Sequence, residues 1–363
     1  MSSAPVGDGI VEVDLSVIRQ QVEDVLDTFV RRKVVEADGQ PLAPMVALLK
    51  RVVVVGGKRL RPLLCCLGWS AAGGVGRPPS AVLEVAAALE LFHAFALIHD
   101  DVMDGSSMRR GRPTVHRAAA DYFTSSQGRE QSDRLGEHAA VLIGDLAFVW
   151  SDELLHRCAL TPGQLRAVMP LVDGMRSEIM LGQYLDLRSA GSPCGDVDGA
   201  LRIARLKSGS YSVERPLQIG AALAGGSGLV LAACSSFARP LGEAFQLRDD
   251  VLGAFGDPAV TGKSAVEDLR AGKHTVLSAL AWRRASADQR SALSVLLGNR
   301  TLTEDDAVQA RALLAATGAL AEVEEMIRSR HRQALAALHS SGFPGPVDQA
   351  LRQIADAVTA GQP

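Results

Sequence analysis

The chain has 363 residues, with 38 Lys and Arg against 41 Asp and Glu, and its formal net charge is −3. A balance so close to neutral gives no electrostatic reason to expect nucleic-acid binding or attachment to an anionic membrane. Hydrophobic residues make up 47% of the chain, which is enough for a large core and too much for a disordered protein.

Cysteine usage and apolar runs predict the compartment. The five cysteines form no CxxC pair and no metal-ligand spacing: Cys65, Cys66, Cys158, Cys194 and Cys234. Because the chain also shows no secretory leader, we expect a cytoplasmic protein with reduced thiols. The most apolar segment, residues 81–98, is interrupted by Glu84, Glu90 and His93, so no bilayer-spanning helix is expected.

Long segments rich in Ala, Leu, Val, Glu and Arg, punctuated by Gly and Pro, predict an all-α protein. Helices are expected near 10–32, 42–55, 60–73, 79–104, 138–158, 163–189, 198–209, 211–223, 227–252, 275–284, 286–298, 303–315, 318–338 and 346–359. The polar stretch 124–137 is expected to be a loop. We predict a single domain over 1–363 with flexible ends at 1–9 and 360–363, and two packed helical halves are the alternative.

The most informative segment, residues 89–116, ends an apolar helix with three aspartates and continues into an arginine-rich turn. On a helix, Asp100 and Asp104 share one face with their Cβ atoms roughly 5–6 Å apart. Two carboxylates so placed repel each other unless a cation lies between them, and their oxygens suit Mg²⁺. Arg109 and Arg110 follow, and guanidinium groups bind phosphate oxygens in pairs. This pattern predicts a site for a metal-bound diphosphate, although a solvated acidic helix end is the simpler explanation of one such motif alone.

A second segment of the same kind makes coincidence unlikely. Residues 245–277 again end an apolar helix with paired acids, Asp249 and Asp250, and Gln246 shares the face of Asp249. A glycine-rich stretch follows, carrying Lys263 and Lys273. The chain therefore twice delivers carboxylates to a helix end and continues into a cationic loop.

Three weaker clusters complete the pattern. Residues 56–64, GGKRLRPLL, place Lys58 and Arg61 near a helix start, where phosphate is favoured. Residues 204–220 carry Lys207 and Ser208 in a helical stretch that Gly209 is expected to weaken or kink. Residues 182–186, GQYLD, place Gln183 and Asp186 on one face. For the last two clusters a satisfied buried polar pair is an equally good interpretation.

Taken together and in this order, GGKRLRP, DDVMD…RRGRPTVH, KSG and FQLRDD…GK…GK…T resemble the trans-isoprenyl diphosphate synthases over about residues 10 to 340. The resemblance implies an all-α orthogonal helical bundle of the isoprenoid-synthase type. In such a bundle the two acidic helix ends face each other across a deep cavity. It also implies head-to-tail condensation of isopentenyl diphosphate with an allylic diphosphate, Mg²⁺ as cofactor, and a homodimer.

The resemblance assigns a role to each matching residue. The residues that hold isopentenyl diphosphate would be Lys58, Arg61, His93 and Arg110. Those that hold the allylic diphosphate would be Arg109, Lys207, Lys263 and Lys273. Mg²⁺ would be held by Asp100, Asp104 and Asp249, with Asp101 and Asp250 as outer or partial ligands. Lys207, Ser208 and Gln246 would form the catalytic group near the breaking C–O bond.

The chain departs from the family pattern at two positions. Gly253 replaces the third aspartate of the second motif, so Asp249 would carry the metal role there, with Asp257 or Asp268 as possible replacements. Ser208 stands where threonine is usual and keeps the hydroxyl group.

Product length in this family depends on side chains just before the first aspartate. Phe95 lies five residues before Asp100 and Ala96 four before it, which resembles the geranylgeranyl type and predicts a twenty-carbon product. Farnesyl diphosphate synthase is the alternative. A class I terpene cyclase and a non-catalytic partner subunit are further alternatives. The cationic residues of a second diphosphate pocket oppose the cyclase, and the intact first motif opposes the partner subunit.

Overall fold

The computed structural model describes residues 13–54, 56–123, 128–191, 193–257 and 266–360. The first helices are α1 (Leu15–Ala37), α2 (Ala43–Val54), α3 (Leu60–Ala71), α4 (Ser80–Asp104), α5 (Val115–Phe123), α6 (Arg129–Arg157), α7 (Pro162–Ser189) and α8 (Val197–Ala204). A π-helical segment, Arg205–Glu214, joins α8 to α9 (Arg215–Leu223). The remaining helices are α10 (Gly228–Phe255), α11 (Glu267–Ala271), α12 (Val276–Arg284), α13 (Ala287–Leu296), α14 (Glu304–Ala316), α15 (Ala319–His339) and α16 (Gly345–Ala360).

The all-α prediction is confirmed, and the strands described form one short hairpin. Buried apolar side chains form two clusters. The larger cluster packs α1–α7, α9 and α16 around α4. The smaller one joins the second half of α10 to α11–α15. Helix α10 belongs to both clusters, with its first half in the larger one and its second half in the smaller one.

Helix α4 is apolar almost all round its axis, as a core helix is. Among the described helices it is the one with the length and composition to cross a membrane, and 78% of its most apolar window is buried inside the structure. It ends at Gly105, which adopts the left-handed conformation common after helices. Its last turn carries three aspartates at the helix end that disfavours negative charge, so these acids depend on nearby cations.

Three of the sequence-based expectations were wrong in detail. Residues 108–113 form a hairpin, Met108–Arg109 pairing with Arg112–Pro113, and α5 follows where no helix was expected. Helix α6 begins at Arg129, inside the stretch that was predicted to be a loop. No break separates the helices expected at 198–209 and 211–223, because the π-helical segment continues through both. The predicted ends 1–9 and 361–363 lie outside the described residues, and Ala360 still belongs to α16.

Glycines bring two helices against the π-helical segment. A Cβ added at Gly182 of α7 would stand 2.3 Å from the Lys207 nitrogen, and one added at Gly242 of α10 would stand 2.7 Å from the Gly209 Cα. Only glycine permits backbones to approach this closely. The segment that carries Lys207 and Ser208 is therefore packed tightly between α7 and α10.

Candidate active site between two acidic helix ends

The first acidic motif is surrounded by cations from three other segments. The Lys207 Nζ lies 2.9 Å from Asp100 Oδ1 and 2.6 Å from Asp186 Oδ2. Asp186 stands one turn beyond Gly182, so the close approach of α7 brings its carboxylate to Lys207. The GQYLD pattern is compatible both with Asp186 as a site residue and with Asp186 in a buried polar pair. The structure places it beside the first motif.

Lys273 makes the second such connection. Its Nζ lies 2.7 Å from Asp104 Oδ2 and 3.0 Å from Asp268 Oδ1. Burial opposes the positive charge of this ammonium group, but Asp268, Asp104 and Asp100 outweigh that effect and raise the Lys273 pKa well above its usual value. The segment after the second motif is thereby linked to the end of the first.

Arg109 interacts electrostatically with the acids of both motifs. Its guanidinium group donates to both oxygens of Asp101, at 2.8 Å each, and lies 3.4 Å from Asp100. Burial works against its charge, yet Asp101, Asp100 and Asp249 together raise the Arg109 pKa. Because Asp249 belongs to α10, the two acidic helix ends act on the same guanidinium group.

The acids of α4 differ in how well their charges are balanced. Although burial opposes ionisation, Lys207, Lys273 and Arg109 hold the Asp100 pKa well below its usual value. The pKa of Asp104 is raised by burial and by the charge of Asp100. Of these two carboxylates, which lie one helical turn apart, Asp104 is therefore much easier to protonate than Asp100.

The second motif contains one acid that is strongly perturbed. Burial raises the Asp250 pKa to about 7, and Asp249 and Asp268 add to that effect. Gln246, one helical turn before Asp250, donates a hydrogen bond to Asp250 Oδ1 at 2.7 Å, so its amide is held against this acid. Asp249 is exposed to solvent.

A separate group of cations lies between α3, α4 and the hairpin. Arg61 donates to the Tyr211 hydroxyl at 2.7 Å and to Ser212 Oγ at 2.6 Å, and His93 Nδ1 lies 3.1 Å from the same Tyr211 hydroxyl. Burial, together with the neighbouring arginines, lowers the His93 pKa well below its usual value. His93 is therefore neutral at pH 7. Tyr211 could not be predicted from the sequence, because its contacts join residues more than a hundred positions apart.

The loop before α3 and the hairpin turn approach each other in this region. Arg110 adopts a positive φ of 51°, as does Gly111 at 70°, which is the geometry of a type I′ hairpin turn. The Arg110 guanidinium group donates to the Gly56 carbonyl at 2.7 Å, and a Cβ at Gly57 would come within 3.0 Å of it. Burial lowers the Lys58 pKa, and Asp249 partly opposes that shift.

Arg59 is a further residue whose role sequence analysis did not assign. It adopts a left-handed φ of 48° and is buried, with Nη1 2.8 Å from Glu90 and Nη2 2.8 Å from the Val53 carbonyl. These bonds fix the start of α3. The neighbouring residues Lys58 and Arg61 are thereby held in place around the same site.

The acidic residues fit a divalent cation. Asp100 and Asp104 present their carboxylates one helical turn apart, and each is balanced by a lysine ammonium group, Lys207 or Lys273. Within the described ranges, no three His, Cys, Asp or Glu side chains converge as a ready-made metal cage. Mg²⁺ commonly binds through one or two carboxylates together with substrate phosphates and water, so this donor set is of the kind it uses.

Comparison with known proteins decides the family. Residues 44–314 match the model of the polyprenyl synthetase family. The chain belongs to this family. A geranylgeranyl pyrophosphate synthase from Corynebacterium glutamicum, solved with isoprenyl diphosphate and magnesium, superposes with a TM-score of 0.92 and 37% identity, covering 96% of this chain and 100% of that one.

Relatives in this family differ in product length. A geranylfarnesyl diphosphate synthase of Aeropyrum pernix is 34% identical over 76% of this chain and 81% of its own. A (2E,6E)-farnesyl diphosphate synthase of Mycobacterium bovis is 31% identical over 69% of this chain and 64% of its own. The family member described here is therefore a trans-prenyl diphosphate synthase of the all-α isoprenoid-synthase fold.

Proposed function

We propose that the chain condenses isopentenyl diphosphate with an allylic diphosphate to give geranylgeranyl diphosphate. The observation that carries the chain length is an aromatic layer beneath the first motif. The Phe95 ring lies 5.3 Å from the Phe92 ring and 5.3 Å from the Phe148 ring of α6. This layer would end the space for the growing chain, whereas the small Ala96, one turn before Asp100, leaves room above it.

The allylic diphosphate is assigned to the cations around the first motif. Arg109, Lys207 and Lys273 already lie against Asp100, Asp101 and Asp104, so an incoming diphosphate would share them. Lys263 keeps its predicted role, although it lies outside the described residues. Fixed cations favour departure of diphosphate because they stabilise the charge that develops as the C–O bond breaks.

Isopentenyl diphosphate is assigned to Lys58, Arg61, His93 and Arg110. The Tyr211 hydroxyl orients both Arg61 and His93, so these two groups are held ready for an anion. The alkene attacks the allylic cation, a C–C bond forms, and a proton is lost to the departing diphosphate. Apolar walls matter here because water would quench the cation.

Asp100, Asp104 and Asp249 are the residues that would hold Mg²⁺. When bound, the metal acts as a Lewis acid on the leaving diphosphate. Gln246 lies one helical turn beyond Gly242, where α10 packs on Gly209 of the π-helical segment, and Ser208 directly precedes Gly209. We assign both residues to the surroundings of the breaking bond. Lys207 is assigned both to the allylic diphosphate and to the catalytic group, and its ammonium group contacts the proposed metal ligand Asp100.

One incubation tests the proposal. The purified chain is supplied with Mg²⁺, labelled isopentenyl diphosphate and dimethylallyl, geranyl or farnesyl diphosphate in turn. Chromatography of the dephosphorylated alcohols is expected to show a twenty-carbon main product. A fifteen-carbon product would identify a farnesyl diphosphate synthase. A hydrocarbon without uptake of label would identify a cyclase, and no conversion would point to a non-catalytic subunit.

We also propose a cytoplasmic homodimer. Supporting the dimer, α6 and α7 expose large apolar side chains: Val141, Leu142, Val149, Met180, Leu181, Tyr184 and Leu187. Such faces favour burial against a second copy. Light scattering on the eluted protein is expected to give twice the chain mass of 38.3 kDa. The five free cysteines agree with a reducing compartment.

A further inference from the structure

An arginine of α7 lies against the aromatic layer beneath the first motif. The guanidinium carbon of Arg176 is 4.7 Å from the centre of the Phe148 ring and 5.7 Å from the centre of the Phe92 ring. A guanidinium group at this distance over an aromatic face makes a cation–π contact, which is stronger where water is excluded. Phe92 is fully buried, and the Arg176 side chain is 15% exposed. The cation is therefore part of the wall that the rings form.

The geometry of the two helices places this contact far below the metal site. Phe92 precedes Asp100 by eight residues, which is about 12 Å along α4, and Phe95 lies between them. Arg176 precedes Asp186 by ten residues, which is about 15 Å along α7. Asp186 and Asp100 contact the same lysine, so the two helices are level at their acidic ends. The contact of Arg176 with Phe92 therefore lies deeper than the Phe95 ring.

An acid of α6 fixes the position of the guanidinium group. Asp152 lies one helical turn after Phe148 and forms an ion pair with Arg176 Nη2. The guanidinium group is thereby anchored over the Phe148 ring. Its Nε is buried and has no hydrogen-bond partner among the described residues. Arg176 thus brings a positive charge and an unpaired donor to a wall that otherwise consists of rings.

A prenyl chain interacts differently with rings and with a guanidinium group. Contact with rings is favourable, because both partners are apolar and are removed from water. A chain that passed the rings would displace the cation–π contact and leave N–H donors facing hydrocarbon, which offers no acceptor. Such desolvation without a new hydrogen bond costs free energy. The guanidinium group therefore opposes further growth even where there is space for it.

We propose that Arg176, anchored by Asp152, forms the polar end wall of the product cavity and limits chain length once the aromatic layer has been passed. The inference rests on the proposed function, which assigns the aromatic layer to the growing chain. It adds a limit of a different kind, since the rings block by their size and the guanidinium group by the cost of its desolvation. Removal of the rings should then lengthen the product only as far as Arg176.

The test compares product lengths in the full chain after the layer has been opened by Phe95→Ala/Phe92→Ala. Adding Arg176→Leu to this background should lengthen the main product by at least one further five-carbon unit. Adding Arg176→Lys should leave the length of the background, because a cation remains. Chromatography of the dephosphorylated alcohols measures both. A merely structural role of Arg176 would change the melting temperature or turnover, but not the length of the product that the folded enzyme makes.

Arg32 of α1 is the matched control. Its guanidinium carbon lies 4.9 Å from the centre of the Phe29 ring, and it pairs with Glu153, the neighbour of Asp152. Arg32→Leu removes the same kind of contact from another face of α6, and in the same background it should leave the product length unchanged. Equal lengthening by Arg32→Leu, or no lengthening by Arg176→Leu, would overturn the inference.

Two further results are distinguished in advance. If Arg176→Leu does not fold, Arg176→Gln removes the charge from a side chain of similar length, and its product decides in the same way. An unaltered chain that forms no prenyl diphosphate would refute the proposed function and this inference with it. An active synthase whose product length does not depend on residue 176 in the opened background would refute this inference alone.

Discussion

Lys273 Nζ lies 2.7 Å from Asp104 Oδ2, although 169 residues separate the two in sequence (273 − 104). This ion pair joins the segment after the second acidic motif to the end of α4. Lys207 does the same for Asp100 from the π-helical segment. Two repelling carboxylates on one helix face are thus each held by a lysine from a different part of the chain.

The unequal protonation of these acids predicts opposite effects on stability. Asp100→Asn removes a charge that three cations favour, so the melting temperature should fall. Asp104→Asn removes a charge that burial and Asp100 disfavour, so the melting temperature should hold or rise. Both should lower turnover by orders of magnitude, because each removes a proposed metal ligand. Melting curves and single-turnover rates measure the two effects. Full activity in both variants would remove the metal assignment.

Tyr211 should affect isopentenyl diphosphate more than the allylic substrate. Tyr211→Phe removes the hydroxyl that contacts Arg61 and His93 but keeps the ring. We expect KM for isopentenyl diphosphate to rise about tenfold, equivalent to one lost charge-assisted hydrogen bond, with little change in KM for the allylic primer. Steady-state kinetics with each substrate varied in turn measures this. Tyr184→Phe, at an exposed position, is the control, and an equal rise for both substrates would contradict the assignment.

Phe95 should limit product length. Phe95→Ala opens the layer beneath Ala96, and Phe92, three residues earlier and fully buried, then becomes the next barrier. Products should lengthen by one or two five-carbon units, and further in Phe95→Ala/Phe92→Ala. Chromatography of the dephosphorylated alcohols measures the chain. Phe343→Ala, the same truncation away from α4, should leave the length unchanged. An unaltered product from Phe95→Ala would show that this ring only packs in the core.

The crossing of α3 and α9 depends on two glycines. A Cβ at Gly220 would stand 1.8 Å from the Cys65 carbonyl oxygen, and one at Gly68 would stand 2.0 Å from the Leu217 carbonyl oxygen. Gly220→Ala should therefore lower the free energy of unfolding by about 1–3 kcal/mol or more, as overpacking does. Chemical denaturation measures it. Gly228→Ala, where nothing lies within 4 Å of the added Cβ, should be neutral or stabilising.

His116 predicts a loss of stability in acid. Burial and the charge of Arg117 lower its pKa from 6.5 to about 4. Between pH 6.5 and about 4, His116 therefore binds a proton in the unfolded chain but not in the folded chain. The free energy of unfolding is unaffected by His116 above pH 6.5. It falls as the pH drops toward 4, by at most about 3 kcal/mol from this group. Denaturation at pH 7 and pH 4.5 should show a smaller difference in His116→Gln. An identical pH dependence in both chains would contradict this source.

The two long helices that carry the acidic motifs could be predicted because apolar pattern and end signals agree along them. The first turns of α6, from Arg129 onward, could not be predicted because they are polar. They are held by packing, with a Cβ at Gly136 only 2.3 Å from the His116 carbonyl oxygen. Spacing and resemblance suggested the acids and most of the cations. The role of Tyr211 arises from its contacts with Arg61 and His93, which lie in distant segments, and no local pattern encodes them.

The π-helical segment Arg205–Glu214 runs directly into α9 and so determines which face of α9 points toward α3. Each residue of an α-helix turns the chain by roughly 100°. A π-helical turn holds more residues than an α-helical turn, so the segment accommodates extra chain length while Gly220 of α9 still faces Cys65. The widened turns therefore serve as an angular spacer before α9.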